Sequence, residues 1–490
     1  MRAVGVLRRQ LRAAGRRTGP TRVREALALS GGGSRAGFEI GALRYLYDVV
    51  GVSPSIITGT SAGSLVAAVL AQSRDPHEQR AALAGLETLW RGMRTSSDLF
   101  EETPWFTSLR TIAPEWLEVF QRRRRVGHVL GDPAEAPMWS PFRTVDALLA
   151  MRALGRTGRD LEHVLSAAET AQGLFAPGRL TRQVQDPAVF DPGRVPGSGV
   201  QLRIAVVGLE SGELRYVTEA GRLVDRSNRP VPGGATIAIT DAVRASSAIP
   251  VVFPPVRLDG EHYVDGGVRE VVPIEMAARH LGGTRCWAVV ASATGSPPDT
   301  DFAGKNILAI ASRAYTDIMW DEVLRDEVEL ARTSARVTLI QPEVDVHDSL
   351  GVDPGLTAID IDHGWLRAGD VVRGADADEC RLTARIVTLR RDIWQAEHAH
   401  AGVPIVRGAG GGPGGGTGGG TGAAAVSDAP TAHRRPTAAD DAALALLKRQ
   451  LRDAVAAKDP AQLPAGAHGW WQRWEDHAWP TPVRRPWPAD

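Results

Sequence analysis

The stretch Ser53–Leu70, SPSIITGTSAGSLVAAVL, indicates a strand that enters a helix through one sharp turn. The β-branched run at 56–58 is typical of a strand, and the Ala/Val/Leu run after the turn is typical of a helix. Between them lies Gly59–Gly63 (GTSAG), where a side chain at either glycine would crowd the strand against the helix. The stretch therefore predicts an elbow with Ser61 at its tip, from which the hydroxyl projects as a candidate nucleophile.

A second unit of the same kind precedes the elbow. Glu25–Leu29 predicts a strand, Gly31–Gly37 (GGGSRAG) a glycine turn, and Glu39–Val50 a helix with one apolar face. Strand, turn and helix repeated in this order are typical of a parallel sheet covered by helices. Because turns at the carboxyl ends of parallel strands share one edge, we expect the glycine turn to lie beside Ser61.

Two hairpins and several further elements follow along the chain. The second hairpin, at 256–264, runs directly into Asp265-Gly266-Gly267. Asp265 stands 204 positions after Ser61 (265 − 61), so only the fold can bring the two residues together. The other expected elements are strands at 202–209, 214–218, 286–291 and 337–340, and long helices at 307–332 and 379–396.

The composition predicts one large domain with appendages. Residues 1–23 form a basic arm, with seven arginines and no acid in the first 22 positions, and 24–400 form the α/β domain. Within it, 75–200 predict a mostly helical insertion that caps the site. A linker at 408–422, with eleven glycines, leads to 423–490, a helix and a Trp/Pro-rich tail without a catalytic role.

Charge and cysteine content exclude several classes of protein. The 490 residues are 43% hydrophobic, enough for a sizeable core, and their formal net charge of zero argues against nucleic acid as a partner. Two cysteines, Cys286 and Cys380, allow neither a disulfide framework nor a zinc site. No run of about 18 apolar residues occurs. We expect a cytoplasmic protein whose basic arm allows peripheral contact with a membrane.

The predicted edge carries the parts that serine chemistry requires. A serine hydroxyl needs a base to take its proton, and Asp265 is the candidate. A free Asp has a pKa of about 4, so burial must raise that pKa to make it a better base. The N–H groups at 31–33 and at Ala62 are candidate donors to the oxyanion that forms on an attacked ester. The candidate oxyanion residues are Gly31, Gly32, Gly33 and Ala62.

Four motifs, in this order along the chain, resemble the patatin-like phospholipase family. They are the glycine loop at 29–35 (LSGGGSR), the elbow at 59–63, the segment at 241–255 (DAVRASSAIPVVFPP) and Asp265-Gly266-Gly267. The resemblance implies a three-layer α/β/α fold with a mainly parallel central sheet and a helical insertion. It also implies a Ser61–Asp265 dyad without histidine, acting on acyl esters of phospholipids without a cofactor or metal.

The resemblance also assigns supporting roles around the dyad. Arg35 matches the basic position of the glycine loop, where it holds the loop, forms a structural ion pair or meets an anionic headgroup. The supporting glycines are Gly59, Gly63, Gly266 and Gly267. One position departs from the family pattern, since Ala36 stands where the family has a glycine after the basic residue.

Three alternatives to a dyad hydrolase remain open at the level of sequence. A Ser-His-Asp esterase would need a histidine such as His280, His347 or His363 after Asp265. An acyltransferase would use the same acyl-enzyme, and a lipid-binding protein would keep the fold without the chemistry. A dinucleotide fingerprint at 31–36 is disfavoured, because the next strand ends on glycine rather than on an acid. Headgroup, acyl position and oligomeric state are left undetermined.

Overall fold

The computed structural model describes residues 23–104, 107, 172–179, 189–293, 295, 314, 318–347, 349, 351–401 and 437–477. Eleven strands lie in these residues: β1 Glu25–Leu29, β2 Ile56–Gly59, β3 Phe100–Glu102, β4 Phe175–Pro177, β5 Gln201–Gly208, β6 Leu214–Thr218, β7 Leu223–Val224, β8 Val256–Leu258, β9 Glu261–Asp265, β10 Arg285–Val289 and β11 Arg336–Ile340. Eight α-helices accompany them: α1 Ala36–Tyr45, α2 Ala62–Leu70, α3 Pro76–Arg91, α4 Ile239–Ser246, α5 Trp320–Arg332, α6 Pro354–Arg373, α7 Ala377–Ala401 and α8 Ala438–Ala457.

Nine of these strands form one central sheet. Its main order is β11-β10-β1-β2-β5-β6-β7, with β9 paired to β5 and β8 paired to β9. The five strands from β11 to β5 are mutually parallel. β6, β7, β8 and β9 join as antiparallel neighbours. The sheet is therefore mainly parallel, as the sequence predicts.

Helices cover both faces of the sheet. Alternate residues of the strands point to opposite faces, so β1 sends Leu27 and Leu29 into one apolar cluster and Ala26 and Ala28 into another. The first cluster includes residues of α1, α2, α3 and α4. The second includes a helical turn at 276–280 and the apolar side of α5. The fold is the three-layer α/β/α arrangement that the sequence predicts.

Two glycines allow α1 and α6 to cross in close contact on the first face. A Cβ atom on Gly41 of α1 would lie 1.8 Å from the carbonyl oxygen of Ile361. A Cβ atom on Gly364 of α6 would lie 2.0 Å from the carbonyl oxygen of Phe38. The backbones of the two helices therefore meet without intervening side chains. α6 is not among the elements predicted from the sequence.

The described part of the segment at 75–200 contains both helix and strand. The segment begins with the helix α3. β3 then pairs antiparallel with β4 across the segment, and the prediction of a mostly helical insertion did not include this pair. Residues 105–106, 108–171 and 180–188 lie outside the described residues, as do the basic arm before residue 23 and the linker at 408–422.

The C-terminal segment packs against the α/β domain. α8 spans Ala438–Ala457, within the segment where the sequence predicts a helix, and its apolar side packs against α7. Trp470 is buried in the same cluster. Among the described residues, no helix combines the length and the apolar character needed to cross a membrane.

Candidate active site

One edge of β5 brings the elbow and the Asp motif together. β2 pairs with the first half of this edge, where Gly59 lies opposite Ile204. β9 pairs with the second half of the same edge, where Asp265 lies opposite Val206. The ends of β2 and β9 are thus two residues of β5 apart, about 7 Å along the strand. Ser61 follows Gly59 by two residues and therefore emerges beside Asp265.

Ser61 occupies a strained turn between β2 and α2. Its backbone has φ 51° and ψ −126°, a combination that L-residues other than glycine rarely adopt. Its N–H donates to Oγ of Ser246 at 3.0 Å, which ties the turn to α4. The turn needs glycine on both sides, since a Cβ on Gly59 would lie 2.5 Å from the carbonyl oxygen of Gly63, and a Cβ on Gly63 would lie 2.3 Å from that of Ser30. The structure thus has the local geometry of the predicted elbow.

Asp265 is a buried carboxyl at the end of β9. It is 2% exposed, and burial raises its pKa to about 7, against the smaller opposing effects of the Ser61 hydroxyl and the Gly267 N–H. The Gly267 N–H donates to Oδ1 at 2.8 Å. The Ser61 hydroxyl is near enough to lower the pKa of Asp265, but Oδ2 of Asp265 accepts no hydrogen bond of normal geometry. One carboxyl oxygen is therefore fixed by the backbone and the other is open to the serine.

The glycine loop lies directly against Ser61. A Cβ atom on Gly31 would lie 3.0 Å from Cβ of Ser61 and 3.6 Å from its Oγ. The Gly31 N–H points away and donates weakly to the carbonyl oxygen of Val271 at 3.4 Å. Within the described part of the chain, no protein acceptor is found for the N–H groups of Gly32, Gly33 and Ala62. As far as the described residues show, three of the four predicted oxyanion donors therefore have no acceptor.

Ser30 anchors the glycine loop from the side of the sheet. Its N–H donates to Oε1 of Glu39 at 2.9 Å, and its hydroxyl accepts the N–H of Ala291 at 3.0 Å. Complete burial holds the pKa of Glu39 well above its usual range. Ser30 therefore links the loop to both α1 and the strand end after β10.

Arg35 anchors the other end of the loop. Its Nε donates to the carbonyl oxygen of His347 at 2.8 Å, and its guanidinium lies 3.5 Å from Oδ2 of Asp345. The Ser34 N–H donates to the carbonyl oxygen of Ser349 at 3.0 Å. The Arg35 side chain thus holds the segment before α6 against the glycine loop, which corresponds to two of the three roles predicted for it.

An apolar cavity of about 190 Å³ opens beside Ser61. Gly33 and Ala62, two of the three residues whose N–H groups have no acceptor among the described residues, also border it. Most of its wall is apolar, including Leu65, Leu99, Phe100, Phe190, Val243 and Phe253. Arg244 is the one charged side chain among the described residues of the wall. The lining therefore suits an apolar group bound beside Ser61.

The three candidate histidines have neighbours other than Ser61 and Asp265. His280 faces Glu275 at 3.9 Å, and His347 Nδ1 lies 3.4 Å from the Ser34 hydroxyl. His363 is buried in α6 against the ring of Phe38, and burial lowers its pKa to about 3. Across the described residues, no hydrogen bond or ion pair joins a histidine to Ser61 or Asp265.

Trp320 is a site residue that the sequence analysis missed. Its indole would lie 3.3 Å from a Cβ on Gly31 and 2.7 Å from a Cβ on Gly267. It therefore packs over both the glycine loop and the Asp motif, and explains why Gly267 carries no side chain. The only signal in the sequence is a tryptophan in a long predicted helix, which does not indicate what it contacts. No group of His, Cys, Asp and Glu side chains suited to a metal ion occurs among the described residues.

The fold and the site define an α/β protein with a strand–serine–helix elbow facing a buried carboxyl. A sequence profile described as patatin-like phospholipase matches residues 27–278, about half of the chain, and includes the glycine loop, the elbow and Asp265. The chain belongs to the patatin-like phospholipase family, as its motifs predict.

Named relatives and solved structures are similar to this chain over the following extents. A patatin-like phospholipase domain-containing protein of Aspergillus oryzae is 37% identical over 138 residues, covering 25% of this chain and 19% of the relative. One of Aspergillus niger is also 37% identical, covering 25% and 18%. The chain thus spans about a fifth of the length of these relatives.

Among solved structures, VipD from Legionella pneumophila aligns over 92% of this chain and 90% of its own, with 14% identity and a TM-score of 0.33. Human GIVD cytosolic phospholipase A2 aligns over 66% and 44%, with 13% identity and a TM-score of 0.26.

Proposed function

We propose that this chain is a lipid acyl hydrolase of the phospholipase A type, which cleaves acyl esters of phospholipids through Ser61 and Asp265. The observation that carries the proposal is the meeting of the strained serine turn and the buried carboxyl at the end of an apolar cavity. Family membership and the naming of the relatives as phospholipase domain proteins support the substrate class.

The reaction follows from the positions of these groups. Asp265, as the carboxylate, takes the Ser61 proton while Oγ attacks the ester carbonyl carbon. The negative charge that forms on the carbonyl oxygen is stabilised by the N–H groups of Gly32, Gly33 and Ala62, each worth roughly 3–4 kcal/mol to the transition state. The lysolipid alcohol leaves with the proton from Asp265. Water then gives a proton to the same carboxylate as it attacks the acyl-enzyme, and that proton returns to Oγ of Ser61 as the fatty acid leaves.

Gly31 has a different role from that of its neighbours under this proposal. Its N–H is directed to Val271, so it serves by lacking a side chain that would touch Ser61. Arg35 holds the loop through the backbone of His347 and the carboxylate of Asp345. Its guanidinium is therefore engaged with protein groups rather than left for a headgroup.

The test is fatty acid release from phosphatidylcholine vesicles by wild type and variants. We expect Ser61→Ala and Asp265→Asn each to lower the rate by at least about 10³-fold, since both residues act in one proton transfer. His280→Ala and His347→Ala serve as matched controls and should stay within about threefold of wild type.

Two results would contradict the proposal. Loss of activity in a histidine variant with an unchanged melting temperature would replace the dyad by a triad. Retention of activity in Asp265→Asn would remove the carboxyl from the chemistry. Adding a lysolipid acceptor to the same assay separates hydrolysis from acyl transfer, because transfer consumes the acceptor without releasing fatty acid.

A further inference from the structure

A tight turn at the rim of the cavity carries a residue that its geometry disfavours. The Val252 N–H donates to the carbonyl oxygen of Ile249 at 3.1 Å, which closes a four-residue turn with Pro250 second and Val251 third. Val251 has φ +73°. A turn with proline second and a positive φ third is type II, whose third position favours glycine or asparagine. A β-branched residue at positive φ is a rare and strained choice.

Packing within the protein does not account for this choice. The Val251 side chain is 62% exposed, so it contributes little to the core. The turn itself is held through its backbone, since the carbonyl oxygen of Val251 accepts the Leu174 N–H at 3.0 Å and that of Val252 accepts the Phe175 N–H at 2.8 Å. Neither bond needs a valine side chain. The strained residue therefore presents an apolar group to the surroundings at a cost to the fold.

The position of the turn indicates what the side chain meets. Ile249, Phe253 and Pro254 line the cavity that borders Ser61, and Val251, which lies between them in the chain, is exposed, which places it on the rim. Arg244 lines the same cavity, and about half of its side chain is exposed, with its guanidinium 3.0 Å from Oδ1 of Asp241. Both partners of this pair are exposed, unlike the mostly buried Arg35, so the pair is weak and the guanidinium can exchange Asp241 for a lipid phosphate. The rim therefore offers an exposed aliphatic group and an exchangeable cation beside an apolar entrance, which complements a lipid surface with anionic phosphates.

We propose that Val251 and Arg244 are the points at which this chain contacts an anionic phospholipid bilayer, with Val251 entering the acyl region and Arg244 meeting phosphate. The inference rests on the proposed function for its lipid substrate and goes beyond it in naming the contact. It explains why a turn that favours glycine carries valine, because the apolar side chain lowers the free energy of the bound state.

The test compares two valines that are exposed to a similar degree. Val49 is 55% exposed and lies in the helical turn Leu46–Val50, which follows α1. This turn is near the start of β2, whereas Ser61 follows the end of β2. Val251→Asn and Val49→Asn, each made in Ser61→Ala protein, are titrated with vesicles of phosphatidylcholine mixed with phosphatidylserine. Sedimentation of the vesicles gives the bound fraction without any turnover.

We expect Val251→Asn to bind the mixed vesicles about fivefold more weakly or worse, and Val49→Asn to bind like its parent. Because asparagine tolerates positive φ, Val251→Asn should melt no lower than its parent, so the loss cannot come from unfolding. With Ser61 intact, Val251→Asn should cleave a soluble short-chain ester at the wild-type rate. Arg244→Gln should weaken binding to mixed vesicles more than to pure phosphatidylcholine.

Unchanged vesicle binding by Val251→Asn would overturn the proposal, and so would an equal loss in both asparagine variants. A bound fraction that is the same with and without phosphatidylserine would also overturn the part assigned to Arg244. These results are separate from the hydrolase assay. A chain that cleaves no ester but loses binding through Val251→Asn would refute the proposed function and support this contact.

Discussion

Asp265 is the residue on which the proposed chemistry depends most directly. A carboxyl at its ordinary pKa of about 4 is a weak base, and burial brings that of Asp265 to about 7. The backbone supports only part of the negative charge, through the Gly267 N–H on Oδ1. The carboxyl is therefore about half ionised at pH 7, and its carboxylate form is basic enough to accept a serine proton.

The pH dependence of kcat/KM follows from this raised pKa. Below about pH 7, Asp265 holds a proton and cannot accept one from Ser61, so the rate should fall about tenfold for each unit of pH. Above that pH the rate should level off. The profile is measured with a soluble short-chain ester, so that lipid charge does not contribute.

Temperature distinguishes this carboxyl from a histidine base. Ionisation of a carboxyl absorbs little heat, whereas ionisation of an imidazole absorbs much. The midpoint of the kcat/KM pH profile should therefore stay almost constant between two temperatures if Asp265 is the base. A midpoint that moves strongly downward on warming, or one that remains near pH 4, would contradict the assignment of Asp265 as a base shifted by burial.

At the scale of elements, the crossing of α1 and α6 decides how the glycine loop is backed. α1 begins directly after the loop, and its first turn is held by α6, where Oδ2 of Asp360 accepts the Phe38 N–H at 3.0 Å. The backbone contact at Gly41 and Gly364 fixes the distance between the helices. The position of the glycine loop is thus set by the pair α1 and α6 as well as by the sheet.

Substitution of one glycine should disrupt this crossing. Gly364→Ala places a Cβ 2.0 Å from the carbonyl oxygen of Phe38, which forces backbone to move and should destabilise the fold by about 3 kcal/mol. Gly85→Ala in α3 is the matched control, since nothing lies within 4 Å of its Cβ. It should stabilise the fold by about 0.5–1 kcal/mol. Urea unfolding of both variants measures the difference, and similar free energies of unfolding would contradict the crossing.

The sequence predicted the elements that carry their own local pattern. The elbow, both hairpins and β1 combine β-branched or apolar runs with turn residues, and each appears where expected. α6 was missed because it is surrounded by protein and carries buried acids such as Asp360 and Asp362 among its apolar residues, so no polar face marks it. Its start does have a signal, since Asp353 precedes Pro354 as a helix cap.

Long-range pairing is the part of the site that local pattern does not contain. The motifs indicated that Ser61 and Asp265 act together, but nothing near either residue specifies that β2 and β9 share one edge of β5. The pairing of β3 with β4, 73 positions apart (175 − 102), was missed for the same reason. Trp320 belongs to this class, because its contacts join three distant parts of the chain.

At the scale of the whole molecule, the C-terminal segment is joined to the α/β domain by a buried ion pair. Nε and a terminal nitrogen of Arg390 donate to the two carboxylate oxygens of Glu475 at 2.8 Å each, and its other terminal nitrogen donates to Asp362 at 2.7 Å. The guanidinium also lies 4.1 Å from the ring of Trp470. α6, α7 and the tail therefore meet at one arginine, an arrangement that composition alone does not reveal.

Breaking this pair should loosen the tail. Glu475→Gln removes one of the negative charges that balance the buried Arg390 guanidinium. It should lower the free energy of unfolding by about 3–5 kcal/mol. Asp453→Asn makes the same kind of change at an exposed pair with Arg452 and should cost less than about 1 kcal/mol. Thermal unfolding compares the two, and limited proteolysis shows whether the tail is released first. Equal melting temperatures would mean that the tail contributes little to the fold.

The shared edge of β5 has a consequence for the order of synthesis. The chain is made from its amino end, so Ser61 and the glycine loop leave the ribosome about 200 residues before Asp265. Until β9 pairs with β5, the serine has no base, and under the proposed chemistry a nascent chain cannot attack the lipids around it. Hydrolytic capacity would then begin in a single step, when the hairpin β8–β9 adds to a sheet that is already assembled.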